Sequence, residues 1–401
     1  MNPSEAAAWL ARDTVDSLPE GGLEAKLAAG RPLRVKLGID PTAPDIHLGF
    51  TVVLRKLREF QELGHTVVLI IGDYTARVGD PSGRATTRPV LSGEEIDANA
   101  ETFRSQAMKV LLPDGLEVVR NGEWLDMSMA ELFRLLSTTT VAQVLERDDF
   151  AKRYASGASI SMLELLYPLL QGFDSVAVTA DVELGGTDQK FNLLLARDIQ
   201  RHYGQAGQVI MTMPLLTGTD GIRKMSKSYA NYIGVAEPAA QIYGKTVSIP
   251  DKSLEPWYSL LMGGGVPDSL DPWEAKRMLA RTLVERFHGS AQASAAEEAF
   301  DRVHRRRELP DEVPVLRLSS LERARGDGAG GSDGSGMVHL PAVLAQAFGV
   351  SSSEARRSIA QGGVRLDGEP IAADVLDLPA EQIRGRVLQM GKRRFVRVEL
   401  D

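Results

Sequence analysis

A strand–helix–strand succession near the start of the chain constrains the fold more than any other feature. Residues 33–39 (LRVKLGI) form an apolar, β-branched run that predicts a strand. Residues 40–45 (DPTAPD) carry two prolines and two aspartates, which is turn chemistry. Residues 50–63 then place Val53, Leu57, Phe60 and Leu63 at helical spacing, and Gly64 supplies a stop. Residues 66–71 (TVVLII) are apolar throughout. A strand without polar alternation is covered on both faces. Two such strands joined by a helix make a βαβ unit, so the sheet is parallel and the crossover right-handed.

The rest of the chain fits an α/β protein with added modules. A length of 401 residues predicts two or three domains. Hydrophobic residues at 43% and charged residues at 25% exclude a disordered, collagen-like or coiled-coil chain. No run approaches the roughly 18 apolar residues of a membrane span. Residues 1–15 carry Glu5 and Asp13 without a basic leader, so no secretory signal is expected and the cytoplasm is the expected compartment. The absence of cysteine excludes disulfides, cysteine–zinc sites and thiol nucleophiles. A net charge of −8 argues against a whole-surface nucleic-acid binder, so any RNA contact needs a local basic patch.

Further helices are predicted over residues 3–17, 161–171 and 189–202, and a short strand over 209–213, followed by a polar loop at 217–228. Residues 236–322 read as mostly helical. Residues 327–336 (DGAGGSDGSG) have flexible-linker composition. Beyond them lies a small α+β module. Ser351-x-x-Glu354 is a capping box opening a helix through Ala360, residues 364–371 (VRLDGEPI) hold an Asp-Gly hairpin turn, and the last strands run over 387–400. The expected organisation is 1–228 as the sheet domain, 229–326 as a helical domain, 327–336 as linker and 337–401 as a small terminal domain.

Two segments carry phosphate chemistry. Residues 40–50 (DPTAPDIHLGF) join the first strand to the first helix, whose N-terminus offers free N–H groups and partial positive charge to an anion. His47 can donate to a phosphate there, and Gly49 permits close approach of a nucleotide. Residues 224–228 (KMSKS) put Lys224 and Lys227 with Met225, Ser226 and Ser228 on a loop. Such a set gathers around a polyphosphate whose charge grows in the transition state. Taken singly, these are also a capping turn and a solvated basic loop.

The pair of signatures resembles class I aminoacyl-tRNA synthetases. GDPSGR at 79–84, YPLLQGFDS at 167–175 and GGTDQKFN at 185–192 resemble the tyrosyl-tRNA synthetase family in particular, on its bacterial KMSKS-bearing branch. The likeness runs from about Arg34 to Ser228, and the C-terminal module is similar to the RNA-binding appendage of the same bacterial enzymes. It implies a Rossmann-like nucleotide-binding catalytic domain, a helical tRNA-binding domain and a small α+β RNA-binding domain. The implied reaction is attack of the tyrosine carboxylate on the α-phosphate of ATP, then transfer of tyrosine to the terminal ribose of tRNA(Tyr). It also implies a homodimer, with Mg²⁺ carried in by ATP; six histidines scattered without metal spacing predict no structural metal, and the lack of a long apolar run predicts no membrane partner.

By the same likeness, His47, Lys224 and Lys227 stabilise charge on the pyrophosphate side. Gly38, Asp40, Thr42, Gly49, Phe50, Met225, Ser226 and Ser228 lie along the nucleotide. Asp80, Tyr167 and Gln171 hold the substrate ammonium, Asp174 accepts from the substrate phenol, and Gln189, with Asp188 beside it, touches ribose or amino acid. Asp174 is then the basis for rejecting phenylalanine, which would leave a buried carboxylate unpaired. Phe50 stands where the family usually has a second histidine, a departure for which either the site compensates or the chain is a slower or specialised paralogue. Lys36 stands where one branch has a tyrosine that contacts the phenol, so the second phenol partner is unassigned.

The basic patch falls in the tail: Arg384, Arg386, Lys392, Arg393, Arg394 and Arg397, with Arg356 and Arg357 on the neighbouring helix, are the expected tRNA contacts. Arg305–Arg307 is a second basic run that also suits a solvated helix face. The GDGAGG at 326–331 follows no strand and opens no helix, so it is not a dinucleotide fingerprint. His65 reads as structural. Two rivals stay open at this level: a tryptophanyl-tRNA synthetase, and an RNA-binding paralogue that has lost activation.

Overall fold

The computed structural model describes residues 1–42, 45–81, 92–304, 313–318, 336–391 and 394–400. These fall into two compact units, Met1–Ser290 and Ala291–Asp401. The run at 327–335 and the basic run at 305–307 lie outside the described residues.

The first unit is built on a six-stranded sheet of β1 (Asp16–Leu18), β2 (Arg34–Ile39), β3 (Thr66–Ile71), β4 (Leu116–Arg120), β5 (Val182–Gly186) and β6 (Val209–Met213), in spatial order 1-6-5-2-3-4. β2 to β6 are parallel, and β1 closes one edge antiparallel to β6. The βαβ expectation holds: β2 and β3 pair from Arg34↔Thr66 to Ile39↔Ile71, joined through the helix Leu48–Glu62. Val52, Val53, Leu54, Leu57 and Phe60 of that helix are buried, and Gly64 (φ +82°) ends it. Strand order reverses between β2 and β5, and in parallel sheets ligands bind outside the carboxyl ends of strands at such a switch point.

Several elements depart from the sequence expectation. The first helix ends at Ala11, not Ser17, because Asp16–Leu18 is taken as a strand by β6. β4 and β5 carry no clear strand signal. β4 is an edge strand with Glu117 and Arg120, and β5 reads VELGG because Glu183 answers a buried lysine. The helix expected to stop at Gln171 runs Met162–Ala177, through Pro168 and Gly172. Gly172 is there for packing. A Cβ on it would lie 2.5 Å from Ile199 Cδ1 and 3.3 Å from Ala196 Cα, on the facing helix Lys190–His202. Helices Ala239–Val247, Leu254–Trp257 and Pro272–His288 complete this unit, and Trp257 Nε1 donates to Thr217 O at 3.2 Å.

The second unit opens with helix residues up to His304 and holds a five-stranded sheet: β7 (Val315–Leu318), β9 (Val364–Leu366), β10 (Glu369–Pro370), β12 (Val387–Met390) and β13 (Arg394–Leu400), in order 10-9-12-13-7. β8 (Met337–His339) pairs separately with β11 (Asp377–Pro379). β7 lies inside the stretch read as mostly helical; it joins the tail's sheet, parallel to β13. Ser351 caps the helix Ser352–Ala360 as its spacing predicts, and Asp367 and Gly368 (φ +47° and +88°) make the hairpin turn. Leu340, Leu344, Ile359, Val364, Leu388 and Val398 form its core.

Candidate active site

One cavity of about 830 Å³ lies at the switch point, reached by the carboxyl ends of β2, β3 and β5. Its wall brings together Gly38, Asp40, Thr42, His47, Gly49, Phe50, Asp80, Tyr167, Gln171, Asp174, Gln189, Lys224, Met225, Ser226, Lys227 and Ser228. The first-unit residues expected along the nucleotide and the amino acid are therefore at one site, although the sequence separates them by up to 190 positions. Of the GDPSGR motif, Gly79–Pro81 are described, and the remaining residues lie outside the described set.

The acidic part of the cavity is tightly bonded. Asp40 follows β2 and accepts from Thr75 Oγ1 at 2.6 Å and from Tyr167 Oη at 2.9 Å. Gly72 makes room for this, since a Cβ there would meet Asp40 Oδ1 at 2.1 Å. Burial raises Asp40 to about 7, with Asp80 and Asp174 pushing the same way and the two hydrogen bonds opposing. Tyr167 is driven well above its ordinary value by burial and then by Asp40. Asp174, on the Met162–Ala177 helix, accepts from Trp124 Nε1 at 2.9 Å and from Asn121 Nδ2 at 3.4 Å. Burial lifts it to about 6; Lys36 and the two donors restrain the rise. Gln189 Nε2 donates to Asp80 at 2.9 Å, and Asn192 Nδ2 donates to both Gln171 Oε1 and Gln189 Oε1 at 3.0 Å.

Beneath this set lies Lys36, fully buried on β2. Its ammonium donates to Gln171 O at 2.9 Å and Ser175 Oγ at 2.8 Å, and pairs with Glu183 of β5 at 2.9 Å. Glu183 also accepts from Ser175, Gln171 and Gln208. Lys36 thus reaches Asp174 through the field and Gln171 through its carbonyl, without lining the cavity.

The basic part gathers His47, Lys224 and Lys227. His47 precedes the helix Leu48–Glu62, and its Nδ1 is sealed from solvent without a hydrogen-bond partner. Burial and then the nearby Lys227 drive its pKa down to about 3, so the ring is neutral at working pH. Its ring centroid lies 4.7 Å from that of Phe50, and Phe50 meets Phe103 edge-on at 6.2 Å. Gly49 leaves space where a Cβ would crowd the His47 ring at 3.0 Å. Lys227 Nζ is likewise buried and unpartnered, 5.6 Å from the Phe103 ring centroid, and desolvation lowers it to about 8. Lys224 is held differently, by Asp188 at 2.7 Å.

Sequence reasoning missed Thr75, Asn121, Trp124, Glu183 and Asn192. Thr75 and Trp124 lie on four-residue helices, Asn121 follows β4, Glu183 is on β5 and Asn192 is on the helix Lys190–His202, and only the fold aims them inward. Lys36 was noticed and left unassigned. His65 is structural, its Nδ1 facing Leu33 N at 3.3 Å. Among the described residues no group of three or more acidic or histidine side chains is placed to hold a metal ion.

The expected tRNA contacts sit in the second unit. Arg356 and Arg357 are exposed on one helix, with Arg356 3.5 Å from His339. The Arg394 guanidinium stands 5.8 Å from the Phe348 ring. Arg386 is paired with Asp367 at 2.6 Å, so part of the patch is already neutralised. Lys392 and Arg393 lie outside the described residues.

Comparison with known proteins gives a consistent result. The family model described as tRNA synthetases class I (W and Y) matches residues 28–305. The tyrosine–tRNA ligase of Moorella thermoacetica is 48% identical over 406 residues, covering 97% of this chain and 94% of the relative. That of Thermotoga maritima is 47% identical over 412 residues, covering 99% and 98%. Among solved structures, a C-terminally truncated mitochondrial tyrosyl-tRNA synthetase from Aspergillus nidulans superposes with a TM-score of 0.61 at 21% identity, over 74% of this chain and 92% of that one. The tyrosyl-tRNA synthetase of Aeropyrum pernix gives 0.60 at 21%, over 75% and 99%. At that identity the structures speak for the fold alone.

Lys36→Met would strand Glu183 as a buried, unanswered charge, and the expected cost is about 3–5 kcal/mol in denaturant unfolding. Adding Glu183→Gln should recover most of it. Equal stabilities of wild type and the single variant would contradict this account of the pair.

Proposed function

The chain belongs to the tRNA synthetases of class I (W and Y), and on that premise we propose that it is a tyrosine–tRNA ligase, an enzyme that activates L-tyrosine with ATP and transfers it to tRNA(Tyr). One observation carries the reading: His47 Nδ1 and Lys227 Nζ, two buried nitrogens without partners, the first able to donate in one ring tautomer, share a cavity with Asp174, a carboxylate supplied with donors. Buried polar groups ordinarily find partners. A polyphosphate answers both donors, and a phenol adds one more hydrogen bond at Asp174.

The chemistry follows from the placement. The substrate carboxylate is itself the nucleophile, so no activating triad is required. It attacks the α-phosphorus of ATP, the bond to the bridging oxygen breaks, and pyrophosphate leaves with that electron pair. What the protein supplies is position and charge stabilisation. Lys227 brings a cation and His47 a neutral donor to the departing phosphates, and Lys224 joins them by exchanging Asp188 for phosphate. Asp40, Thr42 and Gly38 line the nucleotide's path, with Gly49 and Phe50 at the helix start. Tyr167, Gln171 and Asp80 receive the ammonium, and Gln189 and Asn192 hold that set in register. In the second step the terminal ribose hydroxyl of the tRNA attacks the activated carbonyl and AMP departs. Mg²⁺ enters with the phosphates of ATP, as that cation prefers.

Tyrosine is favoured over tryptophan by the relatives, which are named tyrosine–tRNA ligases, and over phenylalanine because Asp174 is a buried acceptor that a ring without a hydroxyl leaves unanswered. Sites that bond a substrate hydroxyl reject the analogue lacking it by roughly 10⁴–10⁵, tyrosyl-tRNA synthetases being the established case. The intact donor set of Lys224, Lys227 and His47 speaks against an inactive paralogue. The domain reading is part of the proposal: a catalytic region to about residue 228, a helical tRNA-binding region after it and a small RNA-binding module at 337–401, whose sheet the strand Val315–Leu318 joins and whose Arg356, Arg357 and Arg394 meet phosphates, with Lys392 and Arg393 in the same basic run. A homodimer is part of the proposal. Met129, Phe133, Val141, Tyr154 and Met162 are each at least 60% exposed within one stretch of chain, and such exposed apolar side chains support a surface covered by a second copy. No described helix is long and apolar enough to cross a membrane.

ATP–pyrophosphate exchange tests the reading directly. Tyrosine should support exchange, with tryptophan and phenylalanine near background, and Lys227→Met should lower the rate by roughly 10²–10³. Exchange driven by tryptophan, or absent with tyrosine, would overturn it. Phe50→His should fold normally and raise the activation rate, because it adds a donor beside His47; an unchanged or lower rate would show that Phe50 is no deficit. Because desolvation lowers Lys227 to about 8, the free enzyme loses that cation as pH rises through 8. The KM for ATP should be flat below pH 7.5 and rise by up to about tenfold per unit well above 8, and Lys227→Arg should abolish the rise. The same shift makes the fold gain stability between pH 8 and 10.5, where the unfolded chain holds more protons. A KM flat to pH 9.5 would contradict the assignment.

A further inference from the structure

Asn231 lies outside the cavity wall, is 3% exposed, and spends its whole side-chain amide on the lysine loop. Its Oδ1 accepts from Ser226 N at 2.8 Å. Its Nδ2 faces Lys224 O at 3.1 Å, Arg223 O at 3.4 Å and Asp220 Oδ2 at 3.0 Å. One planar group therefore grips the backbone on both sides of Met225. The grip is reinforced: Met225 N donates to Leu216 O at 2.8 Å, Gly218 N to Arg223 O at 2.8 Å, and Thr219 N to Asn231 O at 2.9 Å.

Two further features make sense only if this amide must sit where it does. Gly218 packs against it so closely that a Cβ would lie 2.2 Å from Nδ2 and 2.6 Å from Asn231 O, closer than any side chain allows. Ala230, the residue before it, is left-handed (φ +51°), a conformation that costs a non-glycine residue free energy and ends the single turn Lys227–Tyr229. The chain accepts strain at Ala230 and a bare backbone at Gly218 around one asparagine.

We propose that Asn231 is a positioning residue for activation. It fixes the backbone of Lys224–Ser226, so that Lys224 meets Asp188 at the cavity and Lys227, one residue beyond Ser226, is directed into it. This rests on the functional reading above and deepens it by assigning the element that aims the lysines. Asn231 touches no reacting group. Its contribution is that both cations are already in place when the pyrophosphate charge develops, and misplacement by about 1 Å can cost roughly 10² in rate.

The test is kinetic, with a readout that does not depend on activity. Asn231→Ala should lower kcat for tyrosine-dependent ATP–pyrophosphate exchange by roughly 10² and leave the dissociation constant for tyrosine unchanged, since Asp174 and Tyr167 are untouched. Amide hydrogen exchange across residues 224–226 should quicken. Asn231→Asp alone should be at least as slow, because its carboxylate faces Asp220 and two carbonyls. The exchanged pair Asp220→Asn with Asn231→Asp restores a donor opposite an acceptor and should recover most of the rate. Wild-type kcat in Asn231→Ala would overturn the inference, as would tyrosine binding lost in parallel with rate. If Asn231→Ala does not fold, the exchanged pair decides: recovery over Asn231→Asp supports the inference and no recovery overturns it. Absence of tyrosine-dependent exchange in the wild-type enzyme is a different failure, which removes the functional reading and this inference with it.

Discussion

A lysine with no solvent exposure has to be answered wherever it lies, and Lys36 is answered by three groups on two elements: Glu183 on β5, and Ser175 and the Gln171 carbonyl on the Met162–Ala177 helix. This knot sits where the strand order reverses. It holds β2, β5 and that helix in one register, and Asp40, Tyr167, Gln171 and Asp174 of the acidic part hang from β2 and that helix. A buried ion pair is seldom a net gain over apolar packing of the same volume. Its value here is local. Lys36 restrains the rise that burial imposes on Asp174, and it fixes Gln171, whose amide continues the chain of bonds to Asn192 and Gln189.

The cavity is divided by chemistry. Around Asp40, Tyr167 and Asp174 the polar atoms are satisfied by one another, and carboxylates crowded by burial titrate near 6 and 7. Around His47 and Lys227 the nitrogens are unsatisfied, and Lys227 helps keep the His47 ring neutral. A site with surplus negative charge at one place and surplus donors at another suits a ligand pair that carries an ammonium and a polyphosphate. On the proposed reading the two chemistries are the two substrates. The reacting carboxylate and α-phosphorus then meet between them. The aromatic contacts of His47 with Phe50 and of Lys227 with Phe103 keep the basic part dry, which strengthens each interaction made there.

Much of this was legible in the residue order. The βαβ unit followed from two uninterrupted apolar strands, and His47, Lys224 and Lys227 followed from a helix start and a loop composition that phosphate chemistry favours. The Ser351 cap and the Asp367–Gly368 turn were also plain, because local rules alone decide them. What stayed hidden depended on partners distant in sequence. β5 is masked because Glu183 and two glycines look like a turn until Lys36 is seen beside it. The helix through Gly172 looks terminated until Ile199 is seen filling the missing side chain's place. Asn121, Trp124 and Asn231 carry no signal of their own, since an asparagine's role is set by the backbone groups that the fold brings to it.

The claim at the centre is that His47 and Lys227 grip the same departing phosphates. A double-mutant cycle of His47→Ala and Lys227→Met on kcat/KM for pyrophosphate exchange measures this most directly. The account predicts that the losses are coupled by about 1–3 kcal/mol, as for groups acting together on one transition-state charge. Losses that add, within about 0.5 kcal/mol, would mean that the two residues serve different parts of the substrate and would contradict it.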